Sequence, residues 1–217
     1  MSHTQLYTGN KCFSSWSLRP WLALKMAGVE FEDITIRLRQ PDTSENIFKV
    51  SPNGKVPLLV HEGRKIWESY AILEYIAETF PQAKLWPERK DAKAWCRSIA
   101  VEMHGGFMEL RSQWGMNLRR VPAPKPLEGK AIEQFHYLQA IWEKALYVHH
   151  DDGAFLFGHF TIADAMYAPV VSRFHSYAAD LTAPCAEYCA MMMQLPAMKE
   201  WYGLAAQETW PEPDPAE

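Results

Sequence analysis

Apolar positions divide the chain into two halves with different periods. Up to about residue 80 the spacing switches between alternation and helical recurrence. Gln5–Thr8 is a short strand pattern broken by Gly9 and Asn10. Leu18, Trp21, Leu22 and Leu24 recur at helical spacing until Gly28, a residue suited to stop a helix. Pro20 lacks an N–H and is tolerated only in a first turn. Regular helix is therefore expected from about Leu18, with Ser17 as its cap and Ser14–Ser17 as a tighter turn. Phe31–Leu38 alternates and is predicted to be a strand. Ser44–Val50 reads as a short helix. Val56–Val60 and Lys65–Trp67 flank "HEGR", a hairpin signal. Ser69 caps the amphipathic run "YAILEYIAETF", which stops before Pro81.

The order β-α-β-α-β-β-α requires a crossover and a parallel pair, then an antiparallel hairpin. It predicts an α/β unit over residues 1–80, followed by a linker at 81–89. Beyond it strand signals vanish. Trp95, Ile99, Met103, Phe107, Leu110 and Trp114 predict one long helix with a buried stripe. Ile132, Phe135, Leu138, Trp142 and Leu146 predict another, set apart by "VPAPKP" at 121–126. Residues 90–217 are thus expected to form an all-helical bundle, with a frayed tail from about 211.

Composition narrows the function classes. The chain has 217 residues, 48% of them hydrophobic, a net charge of −4 and a pI near 6.1. That balance argues against a nucleic-acid backbone binder. No charged start precedes an apolar run, and no stretch approaches the roughly 18 apolar residues of a spanning helix. No membrane or nucleic-acid partner is expected, and the location is expected to be cytoplasmic. Cys12, Cys96, Cys185 and Cys189 show no CxxC pair or zinc-ribbon spacing and fit free thiols in a reducing compartment. "HHDD" at 149–152 reads as a polar loop, and Cys185, Cys189 and Met191–Met193 as helical core. No metal is expected.

Candidate chemistry gathers at helix entrances. "CFSSWS" places Cys12, Ser14, Ser15 and Ser17 before the first helix. Serine is a preferred cap. A helix N-terminus also stabilises a nearby thiolate, and "CFSS" matches a C-x-x-S redox pattern. Glu68–Ser69 opens the third helix, where free N–H groups make an anion site. "TIAD" at 161–164 is a capping box with Asp in the usual Glu position and a structural role. On the predicted long helix, Arg97, His104, Met108 and Arg111 fall on one side, flanking the core stripe, and could face a substrate.

Four segments carry a resemblance: "SSWSLR" (14–19), "SPNGKVPLL" (51–59), "WESYAILEYI" (67–76) and "FTIADAMYAP" (160–169). In this order and spacing they resemble cytosolic glutathione transferases of bacterial type, with an entrance most similar to the zeta class. The resemblance implies a thioredoxin-like first domain that binds glutathione as co-substrate, and a helical second domain that walls an electrophile pocket. Family members are usually homodimers. It further implies Ser14, with Ser15 as runner-up, as hydrogen-bond donor to the glutathione thiolate. Val56 would pair with the tripeptide's backbone before a cis bond to Pro57. Lys55 would meet the glycyl carboxylate, and Ser69 the γ-glutamyl carboxylate, with Glu68 nearer the ammonium group. Gln40 would add a contact. Trp16, His104, Met108 and Arg111 would face the electrophile. Zeta enzymes carry a cysteine where this chain has Trp16, which points to conjugation, a detoxification chemistry, rather than maleylacetoacetate isomerisation. A binding or scaffold protein with little turnover, a glutathione-dependent isomerase, and thiol–disulfide exchange through Cys12 remain open alternatives.

Overall fold

Leu6 on the first strand, with Leu58 and Leu59 on the third, shows how the first half closes. Successive strand residues point to opposite faces, yet Leu58 and Leu59 are both fully buried, so the sheet is covered on both sides there. The computed structural model describes residues 4–210; the expected frayed tail from 211 lies outside them. The first half runs β1 (Thr4–Thr8), α1 (Ser15–Met26), β2 (Glu32–Thr35), α2 (Thr43–Phe48), β3 (Leu58–His61), β4 (Arg64–Trp67) and α3 (Ser69–Thr79). The sheet order is β2-β1-β3-β4. β1 pairs in parallel with β2, while β3 pairs antiparallel with β1 and β4. Glu62 and Gly63 turn the β3–β4 hairpin at φ 50° and 78°, the left-handed pair that matches strand twist.

The second half holds α4 (Lys90–Gly105), α5 (Met108–Gln113), α6 (Lys130–His149), α7 (Ile162–Ser176), α8 (Ala183–Gln194) and α9 (Pro196–Gln207). The described residues thus combine a thioredoxin-like sheet with helices and a following helical bundle. α1 is buried over most of its length and packs against α3, α7 and α9. One continuous core therefore joins the halves, from Leu6 and Ile72 to Trp142 and Phe174.

Three elements differ from the sequence reading. β2 covers only Glu32–Thr35, not Phe31–Leu38. Its sole neighbour among the described residues, β1, ends at Thr8, and one last bond runs from Ile36 N–H to Thr8 C=O at 2.8 Å. α1 begins at Ser15 rather than near Leu18. The Ser14 C=O already accepts the Ser17 and Leu18 N–H groups at 3.2 and 3.3 Å. Ser17 is therefore inside the helix and is not its cap, and Pro20 sits beyond the first turn, where burial of the surrounding helix outweighs the missing bond. The long helix expected through Trp95–Trp114 is two helices. Gly106 is extended, Phe107 adopts φ 58°, and α5 starts anew at Met108. A Cβ at Gly106 would lie 2.6 Å from the Glu102 carbonyl oxygen, so glycine is required at the break. In the α7 capping box, Asp164 accepts the Thr161 N–H at 2.8 Å.

Candidate functional site

A cleft of about 680 Å³ lies between the two halves. The sheet half supplies Trp16 from α1, Leu38 from beyond β2, Ile47 from α2, the stretch Asn53–Pro57, and Glu68–Ser69. The helical half supplies His104 and Gly105 from the end of α4, with Met108 and Arg111 from α5. The α4–α5 break turns Met108 and Arg111 towards the end of α4.

One wall offers free backbone. The Val56–Pro57 bond is cis, and β3 begins only at Leu58. Among the described residues the Val56 N–H and C=O make no hydrogen bond. They stand open at the cleft as an unpaired strand edge. Beside them, exposed Lys55 has no ion pair among the described residues.

A second wall is the start of α3. Glu68 takes φ 68°, a conformation an L-residue rarely adopts. It turns the chain so that buried Ser69 opens the helix with its first N–H groups unbonded within it. Glu68 accepts from Asn53 Nδ2 at 3.3 Å. Behind Ser69 lies Arg19, fully buried, with Nη1 at 3.4 Å from Ser69 Oγ and with Nε unpartnered. Its guanidinium lies 4.3 Å from the Trp16 ring centroid, and that of Arg111 lies 4.6 Å from the same ring. Burial, then Arg111, then Arg173, hold the Arg19 pKa well below its usual range. Among the described residues no carboxylate pairs with Arg19, and Arg111 and Glu68 bring one charge of each sign to the cleft lining.

The helical wall holds His104, its ring 5.1 Å edge-on to Trp16. Its Nε2 lies 3.7 Å from Glu68 Oε2. Burial first, then Arg19, lower its pKa, with Glu68 opposing and Arg111 adding. His104 is thus neutral at pH 7, and its approach to Glu68 is a polar contact rather than an ion pair. Arg111 Nη1 reaches the His104 and Gly106 carbonyls at 3.4 and 3.3 Å.

The structure does not bring every nominated residue to this cleft. Ser14 and Ser15 are 5% and 7% exposed and are not among the residues that line the cleft. Ser14 Oγ lies 2.7 Å from Ser17 Oγ, which accepts the Gly9 N–H at 3.0 Å. A Cβ at Gly9 would meet Leu38 Cδ1 at 2.5 Å and Ser14 Cβ at 3.1 Å, so the glycine allows this close packing. Gln40 turns its amide to the Leu38 and Arg39 carbonyls at 3.5 and 3.1 Å and does not line the cleft. Arg97, expected beside His104, instead donates to Glu74 at 3.2 Å and stacks over Trp86. Arg97 and His104 share a face of α4, but about two turns, roughly 10 Å along the axis, separate them, so Arg97 meets Glu74 of α3 instead of the cleft.

Leu38, Ile47, Asn53, Gly54 and Gly105 also line the cleft, although the sequence reading nominates none of them. Asn53 and Gly54 lie inside the quoted "SPNGKVPLL" segment, and a doublet at 105–106 marks the break. Leu38 and Ile47 give no signal beyond hydrophobicity.

Comparison with known proteins places this geometry. Residues 4–78 match the family described as glutathione S-transferase, N-terminal domain, and residues 99–203 match the glutathione S-transferase C-terminal domain. A maleylacetoacetate isomerase of Rattus norvegicus is 29% identical over 182 residues, covering 82% of this chain and 81% of that protein. A probable maleylacetoacetate isomerase of Caenorhabditis elegans is 34% identical over 107 residues, 49% of each chain. Glutathione S-transferase GstA of Escherichia coli O157:H7 is 30% identical over 102 residues, 43% of this chain and 51% of that one. The chain therefore matches about half the length of the latter two. Among solved structures, a glutathione transferase homolog from Burkholderia GL BGR1 with bound glutathione superposes with a TM-score of 0.73. It is 23% identical and covers 94% of this chain and 99% of that one, a likeness of fold.

Proposed function

The chain belongs to the glutathione S-transferase family, and from that premise we propose that it binds glutathione in the cleft and transfers its sulfur to an electrophilic carbon. The observation that carries the reading is the coincidence, in one cleft, of a free strand edge at Val56 and a helix N-terminus at Ser69. A tripeptide with a carboxylate at each end fits that pair. Its cysteinyl backbone would pair with Val56, its γ-glutamyl carboxylate would meet Ser69 and its glycyl carboxylate Lys55. The sulfur would then lie towards the mouth of α1.

A free thiol with a pKa of about 8.5 is ionised to only a few per cent near neutral pH. A charge-assisted hydrogen bond contributes about 1.5–3 kcal/mol. A helix N-terminus adds about 0.3–1 kcal/mol, and each pKa unit corresponds to about 1.4 kcal/mol. One serine hydroxyl therefore suffices to bring the thiol near pH 7. The Gly9 N–H occupies an acceptor position on Ser17 Oγ. Ser17 is then free to donate to Ser14 Oγ, which leaves the Ser14 proton for a sulfur that reaches past the lining residues to this nearly buried hydroxyl. The thiolate attacks the electrophilic carbon, a C–S bond forms, and the leaving group departs with its electron pair. Trp16, His104, Met108 and Arg111 form the electrophile wall. The working molecule in this reading is a cytoplasmic homodimer serving detoxification.

A second reading, an isomerase, is favoured by the rat maleylacetoacetate isomerase that matches most of the chain. The same thiolate would add to an alkene carbon and leave after bond rotation, so both readings need the same sulfur chemistry. Disulfide exchange through Cys12 is disfavoured. Its thiol is fully buried, donates to the Ala205 carbonyl at 3.3 Å, and is pushed up to about 11, mainly by burial. A redox thiol needs the opposite shift.

The test is the ultraviolet titration of the bound thiol. Ser14→Ala is expected to raise its pKa by about one unit or more, the loss of one charge-assisted bond. Retention on glutathione resin without turnover on a panel of electrophiles would instead favour a binding protein. If Ser14→Ala and Ser15→Ala both leave the titration unchanged, the serine mechanism is wrong.

A further inference from the structure

The turn at Lys11–Phe13 joins β1 to α1 and leads straight into Ser14. The Asn10 C=O accepts the Phe13 and Ser14 N–H groups at 3.2 and 2.8 Å, so the turn's position is passed directly to the serine. The Phe13 C=O accepts the Ser15 N–H at 3.0 Å, while the main-chain groups of Lys11 and Cys12 are held from far along the chain. The Lys11 N–H donates to Glu208 Oε1 at 2.5 Å, and the Cys12 N–H donates to Glu208 Oε2 at 3.2 Å. The Lys11 C=O accepts Trp201 Nε1 at 3.0 Å, and the Cys12 C=O accepts the Leu118 N–H at 3.2 Å. All four main-chain groups of Lys11 and Cys12 are thus bonded by the helical half, two of them by one carboxylate.

Glu208 is itself fixed. Arg119 donates through Nη2 to the Glu208 main-chain oxygen and through Nη1 to the Trp210 oxygen at 2.7 Å. The Arg37 guanidinium lies 5.0 Å from the Trp210 ring. The segment that follows α9 is therefore tied to both halves, and its carboxylate is aimed at two adjacent N–H groups. Bonds from N–H groups to a carboxylate are charge-assisted and outrank neutral ones. A surface carboxylate with no task would be left to water.

We propose that Glu208 is a positioning residue for the glutathione site: it clamps the Lys11–Cys12 turn and so sets where the Ser14 and Ser15 hydroxyls point. The inference rests on the reading of those serines as thiolate donors. It adds that the thiolate's stability depends on a carboxylate almost two hundred residues away in the chain, which touches neither glutathione nor the reacting atoms.

The experiment compares Glu208→Ala, Glu208→Gln and Arg119→Ala with Glu200→Ala. Glu200 lies on α9 but pairs with Lys25 at the surface. Two readouts are taken: amide hydrogen exchange across residues 9–17, and the pKa of the bound glutathione thiol. Glu208→Ala is expected to speed exchange at Lys11 and Cys12 about tenfold or more, the loss of a charge-assisted bond. It is also expected to raise the thiol pKa by about half a unit, roughly threefold less thiolate near neutrality. Glu208→Gln, which keeps one acceptor, should fall between, and Glu200→Ala should match the parent in both. Should Glu208→Ala fail to fold, Arg119→Ala and Glu208→Gln carry the same comparison. Unchanged exchange would overturn the clamp. Faster exchange with an unmoved thiol pKa would also overturn the proposal, because Glu208 would then be structural only. A parent complex whose thiol titrates like free glutathione would sink the serine reading first, and with it the positioning role, while the exchange data would still report the clamp.

Discussion

His104 faces two cations and one carboxylate. Arg19 and Arg111 push its pKa down, Glu68 pulls it up, and burial, the largest cause, also pushes down. The native chain therefore keeps His104 neutral where the unfolded chain, with its ordinary value near 6.5, already takes a proton. The sign follows. The depressed group contributes stability that is complete above about pH 6.5 and is lost as pH falls through the lower native value. His104→Gln removes the titration while keeping a polar side chain. Urea unfolding of this variant should lose less stability than the parent between pH about 7 and about 5. The group is partly exposed, so the difference should be modest. Parallel losses in parent and variant would show that His104 does not titrate on unfolding. Histidine type and helical spacing could be seen in the sequence. The environment that sets its charge could not, because Arg19, Arg111 and Glu68 come from three separate elements.

At the scale of elements, the junction of α4 and α5 decides the helical wall of the cleft. Two adjacent glycines there have opposite requirements. Gly106 is extended, and a Cβ would lie 2.6 Å from the Glu102 carbonyl. Gly105 ends the helix, and a methyl group placed there would meet nothing within 4 Å. Gly105→Ala should therefore be neutral or raise Tm, since alanine is preferred to glycine in a helix by about 0.5–1 kcal/mol. Gly106→Ala should lower Tm by several degrees, as a backbone contact that cannot give way costs about 1–3 kcal/mol. Thermal unfolding of the pair checks this, and equal melting points would refute the contrast. The apolar stripe Ile99, Met103, Phe107, Leu110 stays buried across the break. Burial periodicity therefore survived a change of backbone direction, and the sequence showed the stripe without the turn. The start of α1 at Ser15 rather than near Leu18 has a related reason. Pro20 carries a local penalty, but α1 is buried against three helices, and tertiary packing prevailed. β2 came out short because strand length depends on the neighbouring strand, which alternation in one segment does not reveal.

At the scale of the whole molecule, what the sequence conveyed best was which backbone turns come together. The segments around Val56–Pro57 and Glu68–Ser69 meet in one cleft with Trp16, His104 and Arg111. Least visible was the charge balance across the two halves. A chain of net charge −4 holds Arg111 and Arg173 close enough to Arg19 to add to the effect of burial on it, with no carboxylate among the causes acting there. A buried charge without a counter-ion destabilises the fold, and a hydrophobic replacement of similar volume is often neutral or stabilising. Arg19 persists here behind Ser69 at the edge of the cleft, and among the described residues its Nη1 meets Ser69 Oγ at 3.4 Å. If an incoming carboxylate at Ser69 supplies the missing counter-charge, the arginine trades stability of the empty protein for affinity of the complex. Arg19→Met should then leave the ligand-free Tm unchanged or higher, yet lose most of the Tm rise that glutathione produces in the parent. Binding to the native state alone raises stability as the logarithm of ligand concentration over Kd, so a tenfold weaker Kd removes about 1.4 kcal/mol of that rise at saturating ligand. Melting curves with and without glutathione read both effects. A less stable empty variant that keeps the full glutathione shift would mean that Arg19 supports the Trp16 ring and the α1 core, and that the cleft draws its anion with Lys55 and the α3 N-terminus alone.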